Sequence, residues 1–179
     1  MTSAQPLTAP PPRTLAANLP SYADQPGTRV RLNGWVHRRR RLSGLAFVVI
    51  RDRSGTAQVV VRDDQTLSQL DVLSEETTVE VVGDTSTNPQ APGGVELVDP
   101  TFTALGAPAA TPPIELWRPT ITAGLPTMLD HRPVTLRHPV QQARWQLAAA
   151  SLHGFRRTLD EAGFTEVHSP KLVESATES

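Results

Sequence analysis

The arginines of this sequence are concentrated in one stretch, and arginine is well suited to binding phosphates and nucleic-acid bases. Nine arginines fall between positions 29 and 62, although the net charge of the whole chain is only −1. Guanidinium groups form bidentate hydrogen bonds and stack on bases, and phosphate binding normally draws on an excess of basic residues. The pattern predicts a localised nucleic-acid site on a nearly neutral protein. The nine residues are Arg29, Arg31, Arg38, Arg39, Arg40, Arg41, Arg51, Arg53 and Arg62.

Hydrophobic periodicity predicts the elements that must position these arginines. Val30, Leu32 and Val36 alternate with polar residues, which predicts a strand that begins at position 29. Three strands, a short helix and two more strands in this order are typical of an OB-fold, a mainly β barrel. A generic five-stranded barrel or an SH3-like domain remains an alternative. The later elements are predicted at 45–51, 56–62, 63–76 (the helix), 77–82 and 95–105.

Composition divides the chain into four parts. Residues 1–12 are rich in proline and small residues and are predicted to form a disordered tail. Residues 13–106 form the predicted barrel, the proline-rich stretch 107–126 a stiff hinge, and 127–179 the start of a second domain. In this last part a long helix is predicted from Pro139 to Gly163, followed by a strand that ends at Pro170. The helix carries one apolar stripe, formed by Trp145, Ala148, Leu152, Phe155, Leu159 and Ala162.

Several classes of function find no support in the composition. The chain has no cysteine, which excludes disulfides, thiolate zinc sites and cysteine nucleophiles. Its five histidines lack metal-ligand spacing, so no metal site is predicted, and no nucleophile-elbow or phosphate-loop motif occurs. No apolar run has the length of a membrane span, and no secretory signal opens the chain. We therefore expect a cytoplasmic protein without a membrane partner.

Two sets of motifs resemble the aspartyl-tRNA synthetase family. Residues 34–42 and 47–55, with Gln58-Val59, resemble the OB-fold domain that binds the anticodon in this family. Residues 129–137 are similar to the entry of its catalytic domain, and 163–172 to motif 1 of class II synthetases. The segment Ala176-Thr177-Glu178 resembles the opening of the amino-acid pocket. The resemblance covers residues 13–179, with both motif sets in the family's order.

The resemblance assigns roles to residues of the first set. Phe47 would stack on the middle anticodon base, while Arg40 and Gln58 would form hydrogen bonds to anticodon bases. The neighbours of Arg40 in the run 38–41 would meet phosphates. From its position alone, Phe47 would more simply be a core residue, but the resemblance reverses that preference. Stacking and edge contacts of this kind are how proteins recognise unpaired RNA loops.

The resemblance also bears on which tRNAs are accepted. Family members restricted to tRNA-Asp tend to carry tryptophan and lysine where this chain has His37 and Pro92. The pair is similar to that of the non-discriminating type of the archaeal branch, which charges both tRNA-Asp and tRNA-Asn with aspartate. Such an enzyme depends on a tRNA-dependent amidotransferase to convert the mischarged product. The alternative is that both residues only shape loops.

In its full-length form a member of this family uses ATP and Mg2+ to activate L-aspartate and then transfers it to tRNA. By resemblance, Glu178 would bind the substrate aspartate and Pro170 would lie at the homodimer interface formed by motif 1; a surface glutamate is the alternative for Glu178. Motifs 2 and 3 are absent, so we expect a truncated α+β catalytic domain without catalytic residues or bound cofactors, able to bind tRNA but not to charge it. An asparaginyl-tRNA synthetase and a free-standing OB module that binds single-stranded nucleic acid remain alternatives.

Overall fold

The structure is a computed structural model that describes residues 10–169. The chain divides into two compact units between Arg118 and Pro119. Most of the predicted tail lies outside the described residues, and so do Pro170 and Glu178.

The first unit is a closed barrel of five strands, which confirms the predicted OB-fold. Its strand order is β1-β2-β3-β5-β4, with β4 returning to β1. The strands β3 and β5 pair in parallel, and all other pairs are antiparallel. The elements are β1 (Arg29–Leu42), β2 (Leu45–Arg51), β3 (Thr56–Val61), helix α1 (Asp64–Leu70), β4 (Thr78–Thr87) and β5 (Val95–Ala104).

The core of the barrel is formed by the inward-facing residues of the alternating strands. Val30, Leu32 and Val36 on β1 are at most 2% exposed, as the periodicity predicted. Strand β4 extends five residues beyond the predicted end at position 82, because its pairing with β5 resumes after an irregularity between Val82 and Asp84. A sequence pattern that loses its alternation at such a shift hides the rest of the strand.

Strand β1 pairs with two neighbouring strands, and Gly34 lies near the point where its pairing changes from one to the other. Its first half pairs with β4 and its second half with β2, and Trp35 pairs with both strands. A Cβ atom at position 34 would lie 2.4 Å from the carbonyl oxygen of Arg51, closer than atoms can approach. The glycine therefore allows β1 and β2 to cross at close range.

The sequence did not reveal that the segment before β1 packs on the barrel. It forms a 3-10 helix, Ala16–Tyr22, whose Leu19 is 1% exposed within the core. Asp52, in the turn after β2, anchors it: Oδ2 accepts from the N–H of Ala16 at 2.9 Å. Oδ1 accepts from the N–H of Ser54 at 2.7 Å, from its hydroxyl and from the N–H of Gly55. One buried carboxylate thus joins the amino-terminal segment to the β2–β3 turn.

The described residues of the second unit form three helices, α2 (Leu125–Asp130), α3 (Arg132–Thr135) and α4 (Pro139–Glu161). Helix α4 begins at Pro139 as predicted, and Gly163 closes it with a positive φ of 84°. The strand predicted over 164–168 is wrong, because these residues have no regular secondary structure and Val167 is 81% exposed. A strand needs a neighbouring strand for its backbone hydrogen bonds, and the described residues of this unit include none.

Part of the predicted hinge belongs to the barrel unit. The N–H of Ala109 donates to the hydroxyl of Thr77 at 3.0 Å, and the hydroxyl of Ser74 donates to the Ala109 carbonyl. Ile114 and Leu116 are almost fully buried. Among residues 10–169, no helix combines the length and apolarity needed to cross a membrane.

We expect the carboxylate of Asp52 to make a measurable contribution to the free energy of unfolding. Burial by itself raises the pKa of Asp52, but the hydrogen bonds from Ser54, Ala16 and Gly55 outweigh it and hold this pKa below its usual value. Asp52→Asn places an N–H2 group against these donors. We expect the free energy of unfolding to fall by about 1–3 kcal/mol at neutral pH in denaturant titrations.

The stabilising contribution of Asp52 depends on pH. Because the folded pKa is lowered, the contribution of Asp52 is complete above the pKa of an unfolded aspartate and is lost as pH falls through the folded pKa. The difference between wild type and Asp52→Asn should therefore shrink in acid. Asp99→Asn is the matched control, since Asp99 is exposed and asparagine tolerates its φ of 48°. A constant difference across this pH range would contradict the assignment.

Candidate nucleic-acid interface

A groove on the outer surface of the barrel collects the residues that the sequence predicted to bind RNA. It crosses β1, β2 and β3 and has a volume of about 290 Å³. Strand register explains its composition, because Arg40 lies opposite Phe47, and Arg38, Val49 and Gln58 form a neighbouring row. Side chains in register on adjacent strands share one face of the sheet. The groove is lined by Arg38, Arg40, Phe47, Val49, Gln58, Asn88 and Gln90.

Phe47 lies on the outer face of β2 and outside the barrel core. Its neighbours Ala46 and Val48 are 3% and 0% exposed and belong to the core, whereas Phe47 is only partly buried. On β3 it lies opposite Val60, which is 1% exposed but is not a member of the core cluster. The ring therefore combines an apolar neighbour with an accessible surface, the arrangement that base stacking requires.

The arginine run from 38 to 41 divides between two faces of the barrel. Arg38 and Arg40 are exposed and line the groove. Arg39 instead donates to the carbonyl of Leu70 at the end of α1, and Arg41 binds both carboxylate oxygens of Asp71 at 2.7 and 2.8 Å. The expectation that Arg39 and Arg41 would meet phosphates beside Arg40 is not supported, because strand alternation turns them towards the helix.

Acidic groups balance the two arginines on the helix side. Arg39 and Arg41 line a second recess together with Asp71 and Glu75. Burial raises the pKa of Glu75, and the nearby Arg39 and Arg38 oppose this rise. The groove side holds two arginines and one nearby buried carboxylate, that of Glu96. Of these two surfaces, the groove presents the more cationic one to a phosphate backbone.

Glu96, which sequence reasoning missed, orients two of the groove's amides. Its Oε2 accepts from Nε2 of Gln58 at 2.8 Å and from Nδ2 of Asn88 at 2.8 Å. Glu96 is 6% exposed and lies beside Gln58 through the parallel pairing of β3 with β5. Since one N–H of Gln58 is bound to Glu96, the amide is oriented, and its oxygen and its second N–H are the groups that it can offer to a ligand. Only the barrel closure brings these residues together, so no local signal could have found Glu96.

His37 occupies an irregular position on β1. The pairing with β2 shifts between Val36 and Arg38, so His37 is the extra residue of a bulge, a feature that redirects a side chain. Nδ1 of His37 lies 3.1 Å from Nη1 of Arg51. A guanidinium group only donates, so Nδ1 is the acceptor in this contact. Arg51 is itself paired with the buried Glu76 at 2.9 Å, so its position is fixed.

The other predicted specificity residue, Pro92, lies elsewhere in the barrel unit. It is exposed at the start of the 3-10 turn Pro92–Gly94, between β4 and β5. Gln90, two residues earlier, lines the groove. The structure therefore places Pro92 in a loop that reaches the groove, while its assigned role stays a prediction.

Within residues 10–169, no group of three or more histidine, cysteine, aspartate or glutamate side chains could hold a metal ion.

Comparison with known proteins agrees with the fold. The family described as "OB-fold nucleic acid binding domain", of the tRNA anticodon type, matches residues 30–105. The aspartate–tRNA(Asp/Asn) ligase of Deinococcus radiodurans is 37% identical over 96% of this chain and 38% of its own length. That of Archaeoglobus fulgidus is 36% identical over 85% of this chain and 36% of its own length. The chain thus spans little more than a third of these relatives.

A solved structure gives the same result. The asparaginyl-tRNA synthetase of Pyrococcus horikoshii, complexed with asparaginyl-adenylate, is 28% identical and superposes with a TM-score of 0.78. The match covers 94% of this chain and 38% of that protein. Fold and groove define a nucleic-acid-binding OB domain of the anticodon type. The relatives at 36% and 37% identity show that the chain is homologous to a little more than a third of the aspartate–tRNA(Asp/Asn) ligases, and its residues 30–105 match the anticodon-type OB-fold family.

The Glu96→Gln variant tests whether the carboxylate of Glu96 orients the groove's amides. Glu96→Gln replaces one acceptor oxygen with a donor, which faces the donating amides of Gln58 or Asn88. We expect about 1–3 kcal/mol less stability to unfolding and shifted side-chain amide NMR resonances for both residues. Glu161→Gln, on the exposed end of α4, is the control and should leave both amides in place. Unchanged amide resonances in Glu96→Gln would show that Glu96 does not orient the side chains of Gln58 and Asn88.

Proposed function

We propose that this chain recognises the anticodon of a tRNA as part of an aspartate–tRNA ligase. The observation that carries the proposal is that one groove brings together Arg40, Phe47 and Gln58. These are the three residues that the sequence resemblance assigns to anticodon bases. Their chemistry is complementary: an aromatic face, a cationic donor and an amide oxygen fixed by Glu96.

The groove suits an unpaired RNA loop better than a double helix. An aromatic ring such as Phe47 can stack on a base only when that base is free of its neighbours. Arg40, directly opposite Phe47 on β1, is placed to bond to an edge of the same or the adjacent base. Arg38 lies two residues away on the same face and supplies charge for a phosphate.

The same proposal extends to the activity of the whole protein. We propose that the whole protein activates L-aspartate with ATP and Mg2+ and transfers the amino acid to tRNA-Asp, in the cytoplasm. The names of the relatives support this reaction. The proposed roles of Glu178 in aspartate binding and of Pro170 in a homodimer concern residues outside the described range. Trp145, Leu152 and Phe155 on α4 are each more than half exposed, and this apolar surface supports the dimer.

We further propose that tRNA-Asn is also accepted, with a tRNA-dependent amidotransferase as the downstream partner. The proposal rests on His37 and Pro92, and the names of the relatives, which specify both tRNAs, support it. The alternative is an asparaginyl-tRNA synthetase, which the likeness to the Pyrococcus horikoshii structure favours. ATP–pyrophosphate exchange by the full-length enzyme separates the two through its dependence on aspartate or on asparagine.

Phe47→Ala tests anticodon binding directly. Loss of one stacked base should weaken binding to a hairpin RNA with the anticodon arm of tRNA-Asp by roughly 1–3 kcal/mol. Fluorescence anisotropy with the 179-residue chain measures the change. Because Phe47 lies outside the core cluster, the barrel should remain folded.

Phe155→Ala is the matched control, since Phe155 is 65% exposed on α4. It removes the same ring from the other unit and should leave the affinity unchanged. Equal affinities of wild type and Phe47→Ala would remove the stacking role and, with it, the observation on which the proposal rests.

His37→Trp combined with Pro92→Lys tests the range of tRNAs. In the full-length enzyme, this double variant should reduce kcat/KM for tRNA-Asn more than for tRNA-Asp, because it installs the residue pair of the restricted type. Initial rates of aspartylation with each tRNA give the ratio. His153→Trp, on exposed helix α4, serves as a control for the added indole. If the double variant keeps the wild-type ratio, the two positions do not set tRNA specificity.

A further inference from the structure

Trp117, which follows the barrel's last strand, stacks with one of the groove arginines. The Cζ atom of Arg38 lies 3.8 Å from the centre of the Trp117 ring. Arg38 extends from β1, while Trp117 lies in the stretch of chain predicted as a hinge. A guanidinium group at this distance from an indole ring makes a cation–π contact. A residue distant in sequence therefore contacts the wall of the groove.

The chain around Trp117 is held in place. Ile114 and Leu116 are 2% and 4% exposed, and Arg118 is paired with Glu115. The Cζ atom of Arg118 also lies 4.7 Å from the Trp117 ring. The indole is thus a fixed platform that contacts two guanidinium groups.

An exposed arginine ordinarily samples many rotamers, and ordering it on binding costs free energy. Stacking on Trp117 restricts the Arg38 side chain before any ligand arrives. Its guanidinium group still lines the groove beside Arg40 and Phe47. The stack therefore presents a cation at a defined place on the groove wall.

We propose that Trp117 is a positioning residue for RNA binding, which holds Arg38 ready to meet a phosphate of the anticodon loop. The inference rests on the proposed function, because it concerns the same groove. It extends the RNA-binding site to a segment beyond the barrel. Trp117 acts through Arg38 and does not itself contact the RNA.

An NMR experiment without RNA tests the first step. In the 179-residue chain, the indole ring current should shift the Nε–H proton of Arg38 upfield. Trp117→Leu, which keeps apolar bulk but removes the ring, should abolish this shift, and Trp117→Phe should restore part of it. Trp145→Leu is the matched control, since Trp145 lies on α4 in the other unit. An Arg38 proton with an ordinary shift in the wild type would overturn the stack in solution.

Binding to the anticodon-arm hairpin of tRNA-Asp tests the second step. We expect Trp117→Leu to raise Kd about two- to fivefold, and Arg38→Gln to raise Kd at least as much and to reduce the salt-dependence slope by about 0.7. In the Arg38→Gln background, Trp117→Leu should cost nothing further. Trp117→Phe should bind more tightly than Trp117→Leu, and Trp145→Leu should bind as wild type.

Three results overturn the inference. An unchanged Kd for Trp117→Leu means that the stack does not serve binding. An undiminished loss in the Arg38→Gln background means that Trp117 contacts the RNA itself. Equal losses for Trp117→Leu and Trp117→Phe mean that the aromatic face is irrelevant. If the wild-type chain does not distinguish this hairpin from one with a closed, fully paired stem, the proposed function fails as well.

Discussion

The alternation of side chains in a closed barrel is the constraint on which the rest of the structure depends. Once Val48 and Ile50 enter the core, Phe47 and Val49 must face outward, and the pairing with β1 places Arg40 and Arg38 beside them. The same rule turns Arg39 and Arg41 towards α1. A shift of one residue in β1 would exchange the two pairs of arginines, and the same shift in β2 would bury the groove's aromatic ring.

The sequence predicted the parts of the molecule that follow this alternation. The order of the barrel's strands and helix along the chain and the start of α4 were derivable, because each depends on local periodicity or on a turn. The division of the arginine run was not derivable from β1, because alternation from Val30, Leu32 and Val36 would turn Arg38 and Arg40 inward, and only the bulge at His37 reverses the two faces. The strand predicted over 164–168 failed for a different reason, because its pairing would require a partner strand, and the described residues of the second unit include none.

The groove's supporting residues come from distant segments, which explains why local patterns missed them. Glu96 reaches Gln58 only through the parallel β3–β5 pairing, and Asn88 only through the loop that follows β4. Trp117 contacts Arg38 although most of the barrel's sequence lies between the two residues. His37 is redirected by a bulge, which alternation cannot indicate. The sequence thus predicted the groups that we propose to contact a base, while tertiary structure alone showed which residues contact and orient these groups.

The most direct test of the central claim is an NMR titration of the isotope-labelled chain with the anticodon-arm hairpin of tRNA-Asp. If the outer face of β1–β3 binds the loop, resonances of Arg38, Arg40, Phe47 and Gln58 will shift together, and those of Arg39, Arg41 and α1 will stay in place. Shifts centred on α1 and the Arg39 and Arg41 side, with Phe47 and Gln58 unaffected, would contradict the account.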